Sequence, residues 1–308
     1  MRLLRFALGS LLLVALFATA SMAQNNRTFI SGAGSDSNPC SLTSPCRTFG
    51  QAISVTNTGG EVIVLTSAGY GPFTVNKAVT VEAPAGVYAG ITATGGSDGI
   101  DVNAGSMDTV ILRGLTVNSE GSSGSGIVSN SGAALHIESC VVNGFNGDFG
   151  ILINNFGNFF VTDTIVRGNG VGIEIRPKST GTPATAYVNM DHLHLDGNRT
   201  SGLDLEPFGS GAVVNAAIRN SSASDNGASG MGAGGNSGAT ADLDIESCLL
   251  ANDLTGVYSE GADVMSVSNC IISRCTTGCH NGGGTIYTRG QNTITASNIG
   301  SLTALAGQ

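Results

Sequence analysis

Residues 138–176 read ESCVVNGFNGDFGILINNFGNFFVTDTIVRGNGVGIEIR. Two patterns alternate in this stretch. A glycine followed by an apolar residue begins a short strand at Gly150 and again at Gly172, and two turn residues precede another short strand at Cys140 and again at Thr164. The alternation predicts a repeat that is built from short strands and tight turns.

The glycine pattern recurs along the chain at spacings of 22–30 residues. Its copies begin at Gly99, Gly126, Gly150, Gly172, Gly202, Gly230, Gly256 and Gly278. No repeat contains a helical segment, which excludes tetratricopeptide, ankyrin and HEAT arrays, and the Leu-x-x-Leu-x-Leu pattern of leucine-rich repeats is absent. The sequence therefore predicts an all-β fold, a single-stranded parallel β-helix of about ten coils that are stacked ~4.8 Å apart.

The start of the chain adds a more specific signal. It reads Cys46-Arg-Thr-Phe-Gly-Gln-Ala-Ile-Ser, then Gly60-Glu-Val-Ile-Val-Leu, Gly69-Tyr-Gly and Val79-Thr-Val. With the repeats, this resembles the right-handed parallel β-helix proteins of the pectin lyase-like superfamily over residues 28–298. The resemblance implies a right-handed β-helix. It also implies a short N-terminal helix that caps the first coil, with Phe49, Ala52 and Ile53 on its inner face.

Composition agrees with strands and turns. Gly contributes 46 of 308 residues and charged residues only 11%, whereas an ordinary domain has about 25% charged residues. Residues 1–23 carry Arg2, Arg5, an apolar run and small residues before Gln24, which predicts a signal peptide and an exported, extracellular or periplasmic, soluble protein. We expect an N-terminal cap over residues 24–58, the β-helix over 59–298 and a tail or second cap over 299–308.

The charge balance limits the partners. The chain has 22 acidic and 13 basic residues, and two of the basic ones lie in the predicted leader. Such a surface repels phosphate backbones, so we expect no nucleic-acid partner, and no further apolar stretch predicts membrane insertion. An extracellular neutral glycan, another surface component or a divalent cation suits this surface better. We expect no cofactor other than Ca²⁺.

Seven cysteines in an exported chain leave at least one without an intramolecular partner. Cys40 and Cys46 bracket a short loop with two prolines, and we predict that they form a disulfide. Cys140 has no cysteine on a neighbouring coil and is predicted to be free. The pairing of the other four stays open, since bridges 248–270 and 275–279 and free buried thiols are all compatible with the repeat.

Aligning the repeats separates inward from outward positions. The residue after each repeat glycine points inward, as do those that follow the paired turn residues. His192 falls at a turn position that it shares with Ser139, Asp163, Asn220, Ser247 and Asn269. We therefore interpret His192 as a turn residue and not as a ligand or catalytic group. Asn103, Asn130 and Asn154 stack over three coils, which indicates a turn ladder.

Outward charge is concentrated on the strands that follow Gly172 and Gly202. Glu174 stacks on Asp204 and Arg176 on Glu206, although like charges placed opposite each other destabilise a sheet. The resemblance implies that in enzymes with this fold the substrate lies along the outer face of this strand. One carboxyl group would then protonate a glycosidic oxygen while another activates water. Alternatively the three carboxylates would hold Ca²⁺, or they form a solvated patch that Arg176 and Lys178 neutralise.

These observations leave three functions open. The first is a non-catalytic module that binds a glycan or surface component, with Lys178 and Tyr258 as ligand-binding candidates. The second is a divergent polysaccharide hydrolase or lyase that uses Glu174, Asp204, Glu206 and Arg176. The third is a structural rod of a surface assembly. Motifs of polygalacturonases and pectate lyases are absent, and the chain has no Trp and five Tyr for stacking on sugars.

Overall fold

The computed structural model describes residues 25–121 and 123–305. Within these ranges the chain forms one α-helix, Phe49–Val55, and a solenoid of parallel strands with three faces. The predicted leader, residues 1–23, lies outside the described residues. The all-β solenoid confirms the predicted fold class.

The first face is a sheet of 12 strands among the described residues, which we call the 12-strand sheet. In order across the sheet its strands are Asn25–Ile30, Thr56–Val64, Val79–Glu82, Thr109–Arg113, Ala134–Glu138, Asn158–Thr162, Ala184–Asp191, Ala212–Arg219, Thr240–Glu246, Val264–Ser268, Thr285–Thr288 and Leu302–Ala304.

The second face, the 10-strand sheet, contains the glycine-led strands of the described chain. Its strands are Phe73–Val75, Ile100–Asn103, Ile127–Ser131, Phe149–Ile153, Val171–Ile175, Leu203–Leu205, Ser229–Gly234, Thr255–Glu260, Thr277–Asn281 and Ser297–Ile299. The solenoid has about eight turns, so the predicted number of about ten coils is only approximate.

The third face is divided into two shorter sheets. The first comprises Ala68–Gly69, Ala89–Ala93, Leu115–Ser119, Val141–Asn143 and Ile165–Arg167, and the second comprises Ser222–Ser224, Leu249–Ala251, Ile271–Ser273 and Thr293–Ile294. Single bridges from His194 to Ile165 and to Ser222 connect them. Each coil therefore visits the three faces in the same order.

The core is a set of columns of stacked side chains. Ile127 pairs in register with Ile100 on one side and Ile151 on the other. The inward column of the 10-strand sheet is at most 1% exposed throughout, and it comprises Ile100, Ile127, Ile151, Ile173, Leu203, Met231, Val257 and Cys279. These columns confirm the predicted alignment, and burying apolar area in this way is the main source of stability.

The turns after six strands of the 12-strand sheet contain a non-glycine residue in the left-handed region. His192 has φ 54°, and the other members of this column have φ values of 50–55°, namely Ser139, Asp163, Asn220, Ser247 and Asn269. Short polar side chains tolerate this conformation better than bulky ones. The interpretation of His192 as a turn residue is confirmed in its backbone geometry.

The N-terminal helix closes the first coil as predicted. Phe49, Ala52 and Ile53 are buried, and the Thr48 side chain accepts a hydrogen bond from the Gln51 amide at the helix start. The Phe49 ring stacks on Phe73 of the first 10-strand-sheet strand at a centroid distance of 4.3 Å. Cys40 and Cys46 form the predicted disulfide beside this cap. Buried aromatic contacts and a cross-link together fix a segment that has little core of its own.

The other cysteines of the described chain are free and buried: Cys140, Cys248, Cys270, Cys275 and Cys279. Cys140 is free as predicted, and neither of the two open bridges is formed. At the far end, Leu302–Ala304 continues the 12-strand sheet as a strand. Among the described helices, none is long and apolar enough to cross a membrane.

Candidate functional site

The register of the 10-strand sheet brings the predicted carboxylates together. Glu174 pairs with Asp204, and the adjoining Ile175 pairs with Leu205, so Arg176 and Glu206 follow as the next outward pair. A further bridge joins Lys178 to Phe208 beyond the strand ends. The four residues predicted to form a site therefore lie on or directly after two neighbouring strands, as the repeat alignment required.

Glu174 is buried although it is on the outward side of its strand. Its residue exposure is 3%, and among the described residues no ion pair joins it to Arg176 or Lys178. Arg176 Nε instead donates to Asn154 Oδ1 at 3.4 Å, and its guanidinium lies 4.4 Å from the centroid of the Phe149 ring. The guanidinium group of Arg176 thus contacts both Asn154 and Phe149 of the neighbouring coil. The interpretation of this cluster as a solvated patch is wrong for Glu174.

Burial changes the acidity of both paired carboxyl groups. Burial raises the pKa of Glu174 to about 9, the charges of Asp204 and Glu206 add to the effect, and Arg176 opposes it. Burial also raises the pKa of Asp204 to about 7, against a hydrogen bond from Ser201 and with a further contribution from Glu206. At neutral pH Glu174 is therefore a neutral carboxylic acid, and Asp204 exchanges its proton in the physiological range.

The rest of the predicted cluster is more open. Glu206 and Arg176 are exposed. Lys178 Nζ lies 5.3 Å from the centroid of the Phe208 ring, and it therefore does not neutralise the carboxylates directly. Tyr258 is farther along the same face, where its ring meets His280 edge-on at 5.1 Å. Burial, and then a hydrogen bond with Glu260, raise the pKa of Tyr258.

Asp204 is packed closely against the next coil. A Cβ atom at Gly232 would collide with Asp204 Oδ1, so a larger residue there would displace the carboxyl group. Within residues 25–121 and 123–305, no three His, Cys, Asp or Glu side chains converge as they would around a metal ion. The arrangement as it stands offers one protonated and one readily titrating carboxyl group, which is the pair that acid–base chemistry on a glycosidic bond requires.

A second feature lies on the 12-strand sheet, where sequence reasoning placed no site. A depression of about 420 Å³ is lined by outward side chains that include Phe160, Asn189, Asp191, Arg219 and Asp244. A second depression of about 410 Å³ shares Asn189, Ala217 and Asp244 with it. A third, of about 310 Å³, shares Asp244 and Glu246 with the first. Together they form a row of adjoining depressions across several coils, which we call the sheet groove.

A small residue creates the groove. Ala217 stands in register between Asn189 on one side and Asp244 on the other, and its methyl group leaves a gap between these longer side chains. On one wall, Arg219 donates to Asp191 Oδ2 at 3.0 Å through Nε, and Asn220 donates to Asp191 Oδ1 at 2.9 Å. Burial alone would raise the pKa of Asp191, but these hydrogen bonds and the Arg219 charge hold it below its usual range.

The rest of the groove supplies unpaired acceptors and ring faces. Among the described residues, Asp244 and Glu246 take part in no ion pair. The ring of Phe160 stacks on His136 with centroids 4.4 Å apart and an interplanar angle of 15°. Tyr187 is 51% exposed on the neighbouring coil. The groove therefore combines flat rings with hydrogen-bonding groups along one line.

Sequence reasoning missed this groove for a physical reason. Each strand of the 12-strand sheet shows the same alternation of apolar and polar residues, and the polar positions resemble an ordinary solvated face. The gap at Ala217 exists only because three particular coils stack in register. The sequence does contain a signal, because Ala217 is a short outward residue between Asn189 and Asp244. This signal can be recognised only after all the coils have been aligned.

Comparisons with known proteins bear on the fold. No protein-family model and no curated protein matches the sequence. Among solved structures, the chain is similar to the pectate lyase Pel9A, with 18% identity, 91% of this chain and 78% of that chain covered, and a TM-score of 0.65. It is also similar to an alginate lyase from Paenibacillus sp. str. FPU-7, with 13% identity, 91% and 99% covered, and a TM-score of 0.48. The likeness to the pectate lyase shows that the chain has a right-handed parallel β-helix fold.

Proposed function

We propose that this protein is an exported, non-catalytic module that binds a glycan in the sheet groove. The observation that carries the proposal is that the three depressions adjoin one another. Asp244 lines all three, Asn189 and Ala217 line the first and the second, and Glu246 lines the first and the third. A furrow that crosses several coils suits an extended chain of repeating units better than a compact ligand.

The groups in the groove suit a sugar polymer. Phe160 and Tyr187 offer ring faces for the apolar side of a pyranose ring, and stacking of this kind needs an accessible aromatic surface. Asn189 supplies both donors and acceptors, and Asp244 and Glu246 supply acceptors for hydroxyl groups. Ligand sites typically combine apolar contact with a few fixed polar groups in this way.

The charge of the groove favours a neutral glycan. Asp242, Asp244 and Glu246 outnumber the cations beside them, and Arg219 is already paired with Asp191. Burial raises the pKa of Asp242. A hydrogen bond from the Val264 amide opposes this rise, and the charge of Asp244 adds to it. A polyanionic chain would meet this unpaired negative charge and be repelled.

Export is the part of the proposal that rests on the leader at residues 1–23 and on the Cys40–Cys46 disulfide. Disulfides persist in oxidising compartments, so the bridge supports an extracellular or periplasmic location. Expression of the full chain with N-terminal sequencing of the secreted product tests this, and cleavage before Gln24 is the expected result.

The function itself is tested with an array of neutral and acidic polysaccharides, with and without Ca²⁺. We expect retention of the mature protein on at least one neutral glycan, independently of Ca²⁺, and no new reducing ends or unsaturated products after prolonged incubation. Retention on acidic glycans alone, or binding to none, would contradict the proposal.

A divergent polysaccharide hydrolase or lyase is the second candidate, and one observation favours it. Glu174 is a neutral carboxylic acid at neutral pH, as a general acid must be, and Asp204 lies beside it as the partner base. The opposed strands are ~4.8 Å apart, close to the lower end of the ~5–9.5 Å that separates glycosidase carboxyl groups. Substrate would first have to displace the side chains that cover Glu174.

The same array decides between the two. If product forms, Glu174→Gln should abolish it, and the catalytic interpretation would replace the binding one. The absence of product on every glycan that the protein binds would sustain the binding function.

A further inference from the structure

A ladder of buried polar side chains runs along the turn between the third face and the 10-strand sheet. Its members are at most 3% exposed and are Asn169, Asn198, Asn226 and Asp253. Each side-chain Oδ1 accepts the backbone amide of the member before it: the three distances are 3.1, 3.0 and 2.8 Å. These bonds satisfy turn amides that would otherwise be buried without partners.

The amide nitrogens of the ladder follow a second rule. Each asparagine Nδ2 donates to a backbone carbonyl oxygen of the preceding coil. Asn169 donates to Val142 at 3.4 Å, Asn198 donates to Val166 at 3.3 Å, and Asn226 donates to Leu195 at 3.0 Å. These carbonyl groups occupy equivalent positions in successive strands of the third face. The ladder thus needs a donor at this atom in every coil.

Asp253 breaks the rule. By register, the carbonyl group that corresponds to those of Val142, Val166 and Leu195 belongs to Ala223. Asp253 presents Oδ2 where the asparagines present Nδ2, and among the described residues this buried oxygen has no hydrogen-bond partner. An ionised carboxylate cannot donate, so an ionised Asp253 would leave the Ala223 carbonyl group without the donor that its counterparts receive.

The groups around Asp253 give its charge little support. Asp225 and Asp196 are negative neighbours, and the Cys275 thiol follows Asp253 in the column. The nearby Arg274 directs its Nε to Asn252 Oδ1 at 2.8 Å. Asn226 is the member of the ladder that donates to Asp253, through its backbone amide to Oδ1 and through its side chain. A Cβ atom at Gly230 would be 2.8 Å from Asp253 Oδ2, so the carboxyl group is closely packed.

We propose that Asp253 occupies the ladder as a neutral carboxylic acid, with its hydroxyl group donating to the Ala223 carbonyl oxygen, and that loss of this proton loosens the C-terminal coils. The proton moves to and from solvent water when the turn opens. Asp253 is then a pH-sensitive position in a ladder whose other members are asparagines. The coils from Ser222–Ser224 onward are therefore more stable at acidic pH than at neutral pH.

The electrostatics agree in direction. Burial raises the pKa of Asp253 to about 7; hydrogen bonds from Asn226 oppose the rise, and Asp225 and Asp196 add to it. A folded-state pKa above the unfolded value means that the native state binds more protons in the interval between them. Stability therefore falls as the pH rises from about 4 to about 7, and the loss is complete above the folded pKa.

Asp253→Asn tests the proposal, because it supplies the missing donor without a proton. At about pH 8 we expect the variant to melt several degrees higher than the wild type, because wild-type Asp253 is then ionised in the fold. At about pH 4 we expect the two melting temperatures to agree within about one degree, because wild-type Asp253 is then protonated. Asn226→Asp is the matched control, and it should introduce a second such dependence by lowering the melting temperature more at about pH 8 than at about pH 4.

A direct readout accompanies the melting data. The carboxyl ¹³C resonance that disappears in Asp253→Asn should titrate in the folded wild type with a midpoint near 7. A midpoint at or below about 4.5 would overturn the proposal, because the residue would then be ionised in the fold. Failure of Asp253→Asn to fold would equally contradict it, since asparagine is the residue that the ladder holds in the three preceding turns.

Discussion

Glu174 and Asp204 are direct partners on adjacent parallel strands, and Glu174 is 3% exposed although it is on the outer side of the solenoid. Two carboxyl groups so placed cannot both be ionised at low cost, because each charge is poorly solvated and repels the other. The pair therefore holds at least one proton at neutral pH, whatever function the protein has.

The stability of the protein should depend on Glu174 in a pH-dependent way. The folded pKa of about 9 exceeds the usual value of 4.5, so stability falls as the pH rises between these values. Glu174→Gln removes this loss, and we expect a gain of about 1–3 kcal/mol at about pH 7, more at about pH 9 and little at about pH 4.5.

Denaturant unfolding at the three pH values measures the effect of Glu174→Gln. The exposed Glu206→Gln is the matched control and should change stability by only a few tenths of a kcal/mol. Equal effects of Glu174→Gln at all three pH values would show that the Glu174 carboxyl group is not protonated in the fold.

Calcium should not stabilise the acidic cluster at neutral pH. A protonated Glu174 is a poor ligand, and Ca²⁺ prefers several ionised carboxylate oxygens. We expect Ca²⁺ to leave the melting temperatures of the wild type and of Glu174→Gln/Asp204→Asn unchanged. A ligand that did bind, at 100 times its dissociation constant, would raise the free energy of unfolding by about 2.7 kcal/mol. A Ca²⁺-dependent rise that the double variant loses would reinstate the calcium site.

The inward columns should not tolerate charge. Ile151 is fully buried between Ile127 and Ile173, so Ile151→Asp places an unpaired charge inside the stack and should prevent folding. Ile271 is 49% exposed on the third face, and Ile271→Asp is expected to fold and to melt within a few degrees of the wild type. Soluble expression and circular dichroism of both variants check this. A native-like Ile151→Asp protein would refute the column alignment.

The cysteines should divide into one oxidised pair and five shielded thiols. Cys40 and Cys46 are bridged, and the other five are buried. Burial also raises the pKa of Cys140 to about 11 and that of Cys279 to about 12, so thiolate is scarce at neutral pH. Alkylation should modify none of the five in the native protein and all five after unfolding without reductant. Modification of Cys40 under those conditions would contradict the disulfide.

Much of the fold could be predicted from the sequence because a solenoid repeats its constraints. The residue after Gly150 and the residue after Gly172 must both point inward, and every coil restates the requirement. The turn column that contains His192 was recognisable for the same reason, since only small or polar residues recur at its left-handed position.

The site could be predicted only in part. Register placed Glu174 beside Asp204, but outward direction alone suggested solvent contact. Its burial, with 3% of the residue exposed, arises only when neighbouring coils pack around it. The sheet groove depends likewise on the size of one residue, Ala217, relative to neighbours on two other coils. Shape of this kind follows from stacking and is not visible in the pattern of one coil.

Glycan binding by matched variants tests the central claim most directly. Ala217→Lys fills the sheet groove, Leu249→Lys makes the same change at an outward position of the third face that is 40% exposed, and Glu174→Gln alters the acidic cluster on the 10-strand sheet. Calorimetric titration with the glycan retained on the array should show binding weakened at least tenfold, about 1.4 kcal/mol, by Ala217→Lys and unchanged by the other two. Loss of binding in Glu174→Gln with full binding in Ala217→Lys would place the ligand on the 10-strand sheet and contradict the account.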